Sequence, residues 1–309
     1  MKAGGRTISV APETRMSLEF CNLASGSMGN CSVLRTPGGV ILIDAGIGPR
    51  TCGKRLDGTG VTVRDVRAIC LTHLDSDHFR PSWLGTLLNL GIKVYCHRTR
   101  VRDAIDILDH ERAEDVVRPF REEFEPIDGL RVRAVPLAHD QSGSHGFVFD
   151  GHGCRIGYAT DLGRVPGALY EQFCELDLLA LESNYDPEMQ LSSGRPWFLK
   201  RRIMGGHGHL SNWQAYEAVR QILDRCQRAG RRLPRHIVLL HRSRECNCPK
   251  LLRSLFERDR RIGRRLALAD QFERTEWLRV RPGPALVGEQ LVLTWTASAA
   301  ANAASNSMV

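Results

Sequence analysis

The stretch Thr72-His73-Leu74-Asp75-Ser76-Asp77-His78 decides how this chain is read. It follows the apolar run Val66 to Leu71 and sets four imidazole or carboxylate groups within six residues. A strand ending in a tight loop can aim His73 and Asp75 one way and Asp77 and His78 another, so the segment is able to serve two metal ions at once. The competing reading is a polar turn, where Asp, Ser and His are ordinary residues.

Three later strand ends carry candidate ligands in the same setting. His139 closes the run Val132 to Ala138, Asp161 follows Ile156-Gly157-Tyr158-Ala159-Thr160, and His241 follows Ile237-Val238-Leu239-Leu240. Taken alone, His139 and His241 are ordinary strand-end histidines. Three apolar strands that each stop at a potential ligand point instead to one shared site.

These residues carry a family resemblance. The pattern His-x-Asp-x-Asp-His resembles the His-x-His-x-Asp-His signature of the metallo-β-lactamase superfamily, with Asp75 where a histidine is usual. Narrower stretches resemble the YycJ/WalJ-type exonuclease branch: Ser25-Gly26-Ser27-Met28-Gly29-Asn30, Leu42-Ile43-Asp44-Ala45-Gly46, Leu181-Glu182-Ser183-Asn184, Leu199-Lys200-Arg201-Arg202-Ile203 and Gly208-His209-Leu210-Ser211-Asn212. Other positions depart from the branch, namely Tyr185 in place of another histidine and Arg242 with Cys246-Asn247-Cys248 near the end of the matched region.

The resemblance implies a four-layer αββα sandwich of the α/β (layered α+β) class with two similar halves, although no internal repeat is visible in the sequence. It implies that His73, Asp75 and His139 surround one divalent metal, that Asp77, His78 and His241 surround a second, and that Asp161 bridges them. Two such cations can share a hydroxide and hold it in line with a phosphorus or carbonyl centre. Catalytic roles are expected for Asp77, Asp161 and His209. Asp44 either orients a ligand histidine or caps the turn at Ala45-Gly46. The expected ions are zinc or manganese, with magnesium or iron as further options, and the hard carboxylate of Asp75 shifts the preference away from zinc and towards manganese, magnesium or iron.

Composition sets the outer bounds. A chain of 309 residues, 42% hydrophobic and 25% charged, suffices for one large α/β domain or two small ones. We expect an N-terminal extension over 1–16, a hydrolase domain over 17–296, and a disordered tail over 297–309, where Ala, Ser and Asn dominate without apolar periodicity. The ten cysteines include no Cys-x-x-Cys pair and several lie in apolar runs, so reduced core thiols are favoured over disulfides. Neither a secretory signal nor a bilayer-length apolar stretch is evident, which makes the cytoplasm the expected location and a membrane partner unexpected.

The local layout alternates strands and helices. A hairpin is expected over 31–44, helices over 81–90 and 98–108, a strand pair over 146–158, and a long helix from Ser211 or Asn212 to Ala229.

Substrate class rests on residues outside the ligand set. The formal charge is +8. Lys200, Arg201 and Arg202 form one basic cluster; Arg225, Arg228, Arg231, Arg232 and Arg235 form a second; Arg258, Arg260, Arg261, Arg264 and Arg265 form a third. A polyanion would gain affinity there by counterion release, and a solvated surface is the alternative. His209, Ser211 and Asn212 at the start of the long helix are expected to form a phosphate pocket with Lys200, Arg201 and Arg202. Ser25, Ser27 and Asn30 line its other side, unless the glycines among them serve only a loop with positive φ.

The resulting expectation is a phosphodiesterase or exonuclease on nucleic acid, DNA favoured, working through a metal-bound hydroxide. Digestion from a 5′ end is one form this could take, and the residues leave polarity and oligomeric state open. The alternatives are a small-molecule hydrolase (lactonase, thioesterase or cyclic phosphodiesterase) and a noncatalytic nucleic-acid-binding descendant. No aromatic stacking motif stands out beside the basic clusters, so DNA and RNA are not separated.

Overall fold

A computed structural model describes residues 17–281. The expected extension over 1–16, the stretch 282–296 and the expected tail over 297–309 lie outside them.

Two seven-stranded mixed sheets pack face to face. The first runs in the order β14 (Leu278–Val280), β1 (Leu18–Ala24), β2 (Cys31–Thr36), β3 (Gly39–Ile43), β4 (Val66–Cys70), β5 (Lys93–His97), β6 (Val117–Phe120). The second runs β13 (Leu266–Leu268), β12 (His236–Leu240), β11 (Leu178–Glu182), β10 (Cys154–Ala159), β9 (Ser144–Gly151), β8 (Leu130–Leu137), β7 (Glu123–Ile127). Helices α1 (Pro49–Leu56), α2 (Leu84–Leu90) and α3 (Val101–Leu108) belong to the first sheet; α4 (Gly167–Gln172), α5 (Pro187–Ser192), α6 (Trp197–Met204), α7 (Asn212–Arg228) and α8 (Pro249–Phe256) accompany the second.

The sequence pattern explains the layering. Strands covered on both faces must be apolar at every position, with alternate residues pointing to opposite sides. In β3, Ile41 and Ile43 enter the core between the sheets while Val40 and Leu42 pack with Trp83 and Leu87 beneath the outer helices. In β12, Val238 and Leu240 face the inter-sheet core, and Ile237 and Leu239 face Val219 and Leu223 of α7. The expected αββα sandwich is therefore what forms.

The two halves invisible in the sequence are visible in the topology. In each sheet four strands are linked antiparallel (β14, β1, β2, β3 and β7, β8, β9, β10), and the remaining three continue in parallel. The hairpin and helices expected around residues 31–44 and 81–108 are present, the helices opening with 3₁₀ turns. α7 begins where expected, capped by Ser211 in a reciprocal capping box with Gln214. Among the described residues no helix is long and apolar enough to cross a membrane.

Candidate metal centre and cleft

The candidate ligands converge because they follow strands of both sheets. Asp44 follows β3, the 72–78 loop follows β4, His139 follows β8, Asp161 follows β10, and His241 follows β12. Asp44, Asp161 and His241 have φ of 62°, 53° and 51°, a region non-glycine residues seldom adopt. Such strain gathers where a side chain must be aimed against backbone preference. Within the 72–78 loop, the Asp75 carbonyl accepts from His78 N and Phe79 N at 2.7 and 2.9 Å, a tight turn that separates Asp75 from Asp77 and His78.

The four histidines share one arrangement, in which Nδ1 is tethered and Nε2 is left to face the centre. His139 Nδ1 donates to the Gly208 carbonyl at 3.0 Å. His241 Nδ1 donates to Glu182 at 3.0 Å, and His78 Nδ1 donates to Asp44 at 2.8 Å. His73 Nδ1 lies 2.9 Å from the Thr72 hydroxyl, whose hydrogen goes to Asp44 at 3.0 Å. Asp44 thus steadies two rings, one directly and one through Thr72, as a carboxylate that orients ligand histidines would. The buried Nε2 atoms of His73 and His241 have no hydrogen-bond partner. Buried imidazole nitrogens beside carboxylates suit a divalent cation that takes the place of their protons, so the residues present fit the implied metals.

Ligand atoms gather in overlapping groups: His73, His139 and Asp161; Asp77, His78 and His241; and Asp161, Glu182, His209 and His241. Asp161 is central, with one carboxylate oxygen 3.0 Å from His78 Nε2 and the other 3.2 Å from His241 Nδ1. Asp75 reaches toward the first group, 3.8 Å from His73 Nε2 and 3.9 Å from His139 Nε2. The nearby His139 ring, with His73, holds the Asp75 carboxyl down at about 2. Burial and the adjacent His78 depress His73 to about 3. Burial opposes charge on His139 and His241 too, but Asp75 and Asp161 raise the first to about 9, and Asp161 with Asp77 and Glu182 raises the second to about 10.

Above the ligands lies a cleft of about 310 Å³, lined in part by Ser27, Asp75, Asp77, Asp161, Arg195, Arg202, His209 and His241. A second hollow of about 730 Å³ shares Asp75, His139, Asp140 and Arg202 with it and extends to His207. The cleft therefore continues sideways past Asp75.

The residues expected to bind substrate divide. Ser27 and Arg202 line the cleft, and Arg201 is exposed beside it on α6. Lys200 is not presented there: it is buried, and its Nζ donates to the Leu191 and Ser193 carbonyls at 2.6 and 2.7 Å, tying α6 to the end of α5. Ser211 uses its hydroxyl to cap α7, accepting from Gln214 N at 3.2 Å. Asn212 is buried and bonds Ser183 and Asn247. The phosphate pocket expected at this helix start is thus already occupied by the protein's own side chains. Ser25 and Asn30 are also buried; Ser25 Oγ accepts from His241 N at 2.7 Å, and Asn30 Nδ2 lies 2.9 Å from His78 Nε2. They brace the candidate ligands. A Cβ on Gly46 would come within 1.7 Å of the Asp77 carbonyl, and one on Gly29 within 2.4 Å of the Gly46 carbonyl, so these glycines pack loop on loop.

One residue escaped the sequence reading. Glu182, fully buried at the end of β11, accepts from His209 Nδ1 at 2.7 Å and His241 Nδ1 at 3.0 Å through one oxygen, and from Leu162 N and Leu210 N through the other. The signal was the one used for the candidate ligands: an apolar strand, Leu178 to Leu181, stopping at an acid. A second omission concerns aromatics. Trp197 and Phe198, separated from the Lys200-Arg201-Arg202 cluster by Leu199 alone, are 65% and 73% exposed.

The departures from the branch pattern have structural accounts. Tyr185 packs on Ile203 and Cys246 in a small apolar cluster. Arg242 pairs with Asp270 at 2.7 Å. All ten cysteines are free thiols, as expected, and among the described residues no candidate metal group includes one.

Comparison with known proteins agrees with this geometry. A profile of the β-lactamase superfamily domain matches residues 40–237. The exodeoxyribonuclease YycJ of Bacillus anthracis is 27% identical over 240 residues, covering 77% of this chain and 87% of the relative. The exodeoxyribonuclease WalJ of Streptococcus pneumoniae is 27% identical over 244 residues, covering 77% and 86%. Among solved structures, a diphosphatase of the PhnP family superposes with a TM-score of 0.59 at 17% identity, covering 86% of this chain and 99% of that one. Human tRNase Z, short form, gives 0.55 at 19% identity, covering 83% and 98%. The profile spans more than half of the chain, which belongs to the β-lactamase superfamily as a metallo-β-lactamase-fold hydrolase.

Proposed function

We propose that the chain is a metal-dependent phosphodiesterase that degrades nucleic acid from an end, with DNA as the favoured substrate. One observation carries the reading: four histidines, each tethered through Nδ1, turn Nε2 toward three aspartates beneath a cleft that holds two arginines. His73, Asp75 and His139 would hold one divalent ion, Asp77, His78 and His241 a second, and Asp161 would contribute to both. When bound, such ions supply Lewis acidity, lowering the pKa of water and offsetting phosphate charge.

The remaining work falls to this chain's own side chains. Arg195 and Arg202, which pair with Glu245 and Asp140, would share those partners with a phosphodiester as they orient it, and Ser27 offers a hydroxyl at the same wall. His209, held by Glu182, is positioned to pass a proton to the departing oxygen. The hard oxygen of Asp75 favours manganese over zinc at the first site relative to an all-histidine set. The free cysteines suit a reducing compartment such as the cytoplasm. The sideways continuation of the cleft supports a polymer over a small enclosed ester, and the kinship with YycJ and WalJ, named as exodeoxyribonucleases, supports DNA.

The test is digestion of end-labelled single- and double-stranded DNA and RNA by the purified chain under zinc, manganese and magnesium, beside lactone and thioester substrates. Metal-dependent release of nucleotides is expected. Turnover of esters or lactones alone would assign the small-molecule alternative, and binding without turnover the noncatalytic one.

A further inference from the structure

Helix α6 holds a surface that the chemistry of the centre does not use. At about 100° per residue, Leu199, Arg202 and Ile203 share the helix face that lines the cleft. Phe198 stands one turn before Arg202 and so at the lip of that face, and Trp197 stands one turn before Arg201, farther round. Passing outward from the cleft, the helix surface reads Arg202, Phe198, Arg201, Trp197, alternating cation and ring, with Arg202 also paired with Asp140 and still largely exposed. The two rings are 73% and 65% exposed, the largest values among the exposed large hydrophobics of the described residues. Rings that a fold leaves in water beside a cleft mark a contact surface.

We propose that Phe198 and Trp197 are stacking steps for unpaired bases, so that the strand fed into the cleft is a single-stranded polynucleotide end, its phosphates passing Arg202 and Arg201. The inference rests on the phosphodiesterase reading and narrows its substrate. Charge complementarity selects the occupant. An apolar partner protein would be opposed by the interleaved guanidinium groups, whereas a single strand offers flat apolar faces and anionic linkers in the same alternation. A duplex keeps its base faces stacked internally, so the rings discriminate in favour of frayed or unpaired ends.

The test is equilibrium binding of the full chain to labelled oligothymidylate and to an abasic oligomer of equal length, in EDTA so that no cleavage intervenes. The wild type should bind the base-bearing strand at least about fivefold more tightly for each ring engaged. Trp197→Ala with Phe198→Ala should bring the two oligomers to parity while leaving the salt dependence unchanged. An oligouridylate arm distinguishes the two sugar backbones; base preference is expected in both, and the tighter one names the strand. Equal affinity of the wild type for both oligomers, or a base preference that survives in the double variant, would overturn the proposal. So would a wild-type dimer in sedimentation that becomes monomeric in the double variant, since a second copy would then cover the rings. The phosphodiesterase reading fails on a separate measurement, the absence of metal-dependent cleavage by the wild type.

Discussion

Replacing Glu182 with Gln keeps the shape of the side chain and reverses the sense of half its hydrogen bonds. The carboxylate accepts from two imidazole Nδ1–H groups on one oxygen and two backbone N–H groups on the other. An amide has one accepting oxygen, so whichever way it turns, its NH₂ meets two donors. If it meets Leu162 N and Leu210 N, two buried amides lose their acceptor, at about 1–3 kcal/mol each, or about 2–6 kcal/mol in total. If it meets the rings, His209 and His241 must move their proton to Nε2, and His241 then has no lone pair to offer a cation. Either outcome is measurable. Urea unfolding of the metal-free variant reports the first, and metal content after dialysis with phosphodiesterase rate reports the second, where a loss of about 10–100-fold is typical for a partner of this kind. A Glu182→Gln chain with wild-type stability, metal content and rate would refute the argument that this carboxylate organises the centre.

Three other expectations are sharp enough to check. Asp161→Ala should lower occupancy at both metal positions and reduce turnover by at least about a hundredfold, read by elemental analysis and nuclease assay; full retention of both would remove Asp161 from the bridge. Asp75→His should raise retention of zinc relative to manganese in competitive dialysis, because imidazole is the softer ligand, while Asp75→Ala should empty the first site and spare the second. Lys200→Ala should destabilise the chain by about 1.5–3 kcal/mol for each charged hydrogen bond lost to Leu191 and Ser193, and leave the salt slope of polyanion binding unaltered, whereas Arg201→Ala and Arg202→Ala should each cut that slope by about one unit.

The strands that carry the candidate ligands were legible because those buried on both faces read as unbroken apolar runs, and a histidine or acid at the end of such a run stands out. His73, Asp161 and His241 were found in this way, and His139 at the end of β8, an antiparallel strand whose apolar residues alternate with polar ones. Glu182 obeys the same rule but was quoted only within a family stretch. What the sequence hid was pairing between remote residues. Nothing local shows that Lys200 will be held by carbonyls of the preceding helix and turn, or that Asn212 will bond Ser183 and Asn247. The C-terminal arginines show the same limit: Arg231 pairs with Glu175, Arg232 with Asp177, and Arg261 with Asp224 and Asp259, so much of that basic run neutralises acids brought in by the fold. Trp197 and Phe198 were overlooked for a different reason, since exposure is a property of the fold and most aromatics are buried.

The division of the candidate ligands between the two sheets has a consequence for the lifetime of the molecule. His73, Asp77 and His78 follow the first sheet, while His139, Asp161 and His241 follow the second, and each cluster drawn on above that includes His73 or His78 takes members from both. A cation seated in such a cluster is a rivet through the sandwich, and mass action makes its contribution depend on supply, about 4 kcal/mol when free metal exceeds the dissociation constant a thousandfold and vanishing as metal runs out. Metal starvation would therefore do more than silence the chemistry. It would loosen the seam between the sheets at the end where the ligands meet and leave the chain open to proteolysis, so that the quantity of this protein in a cell, as well as its rate, would track the available metal.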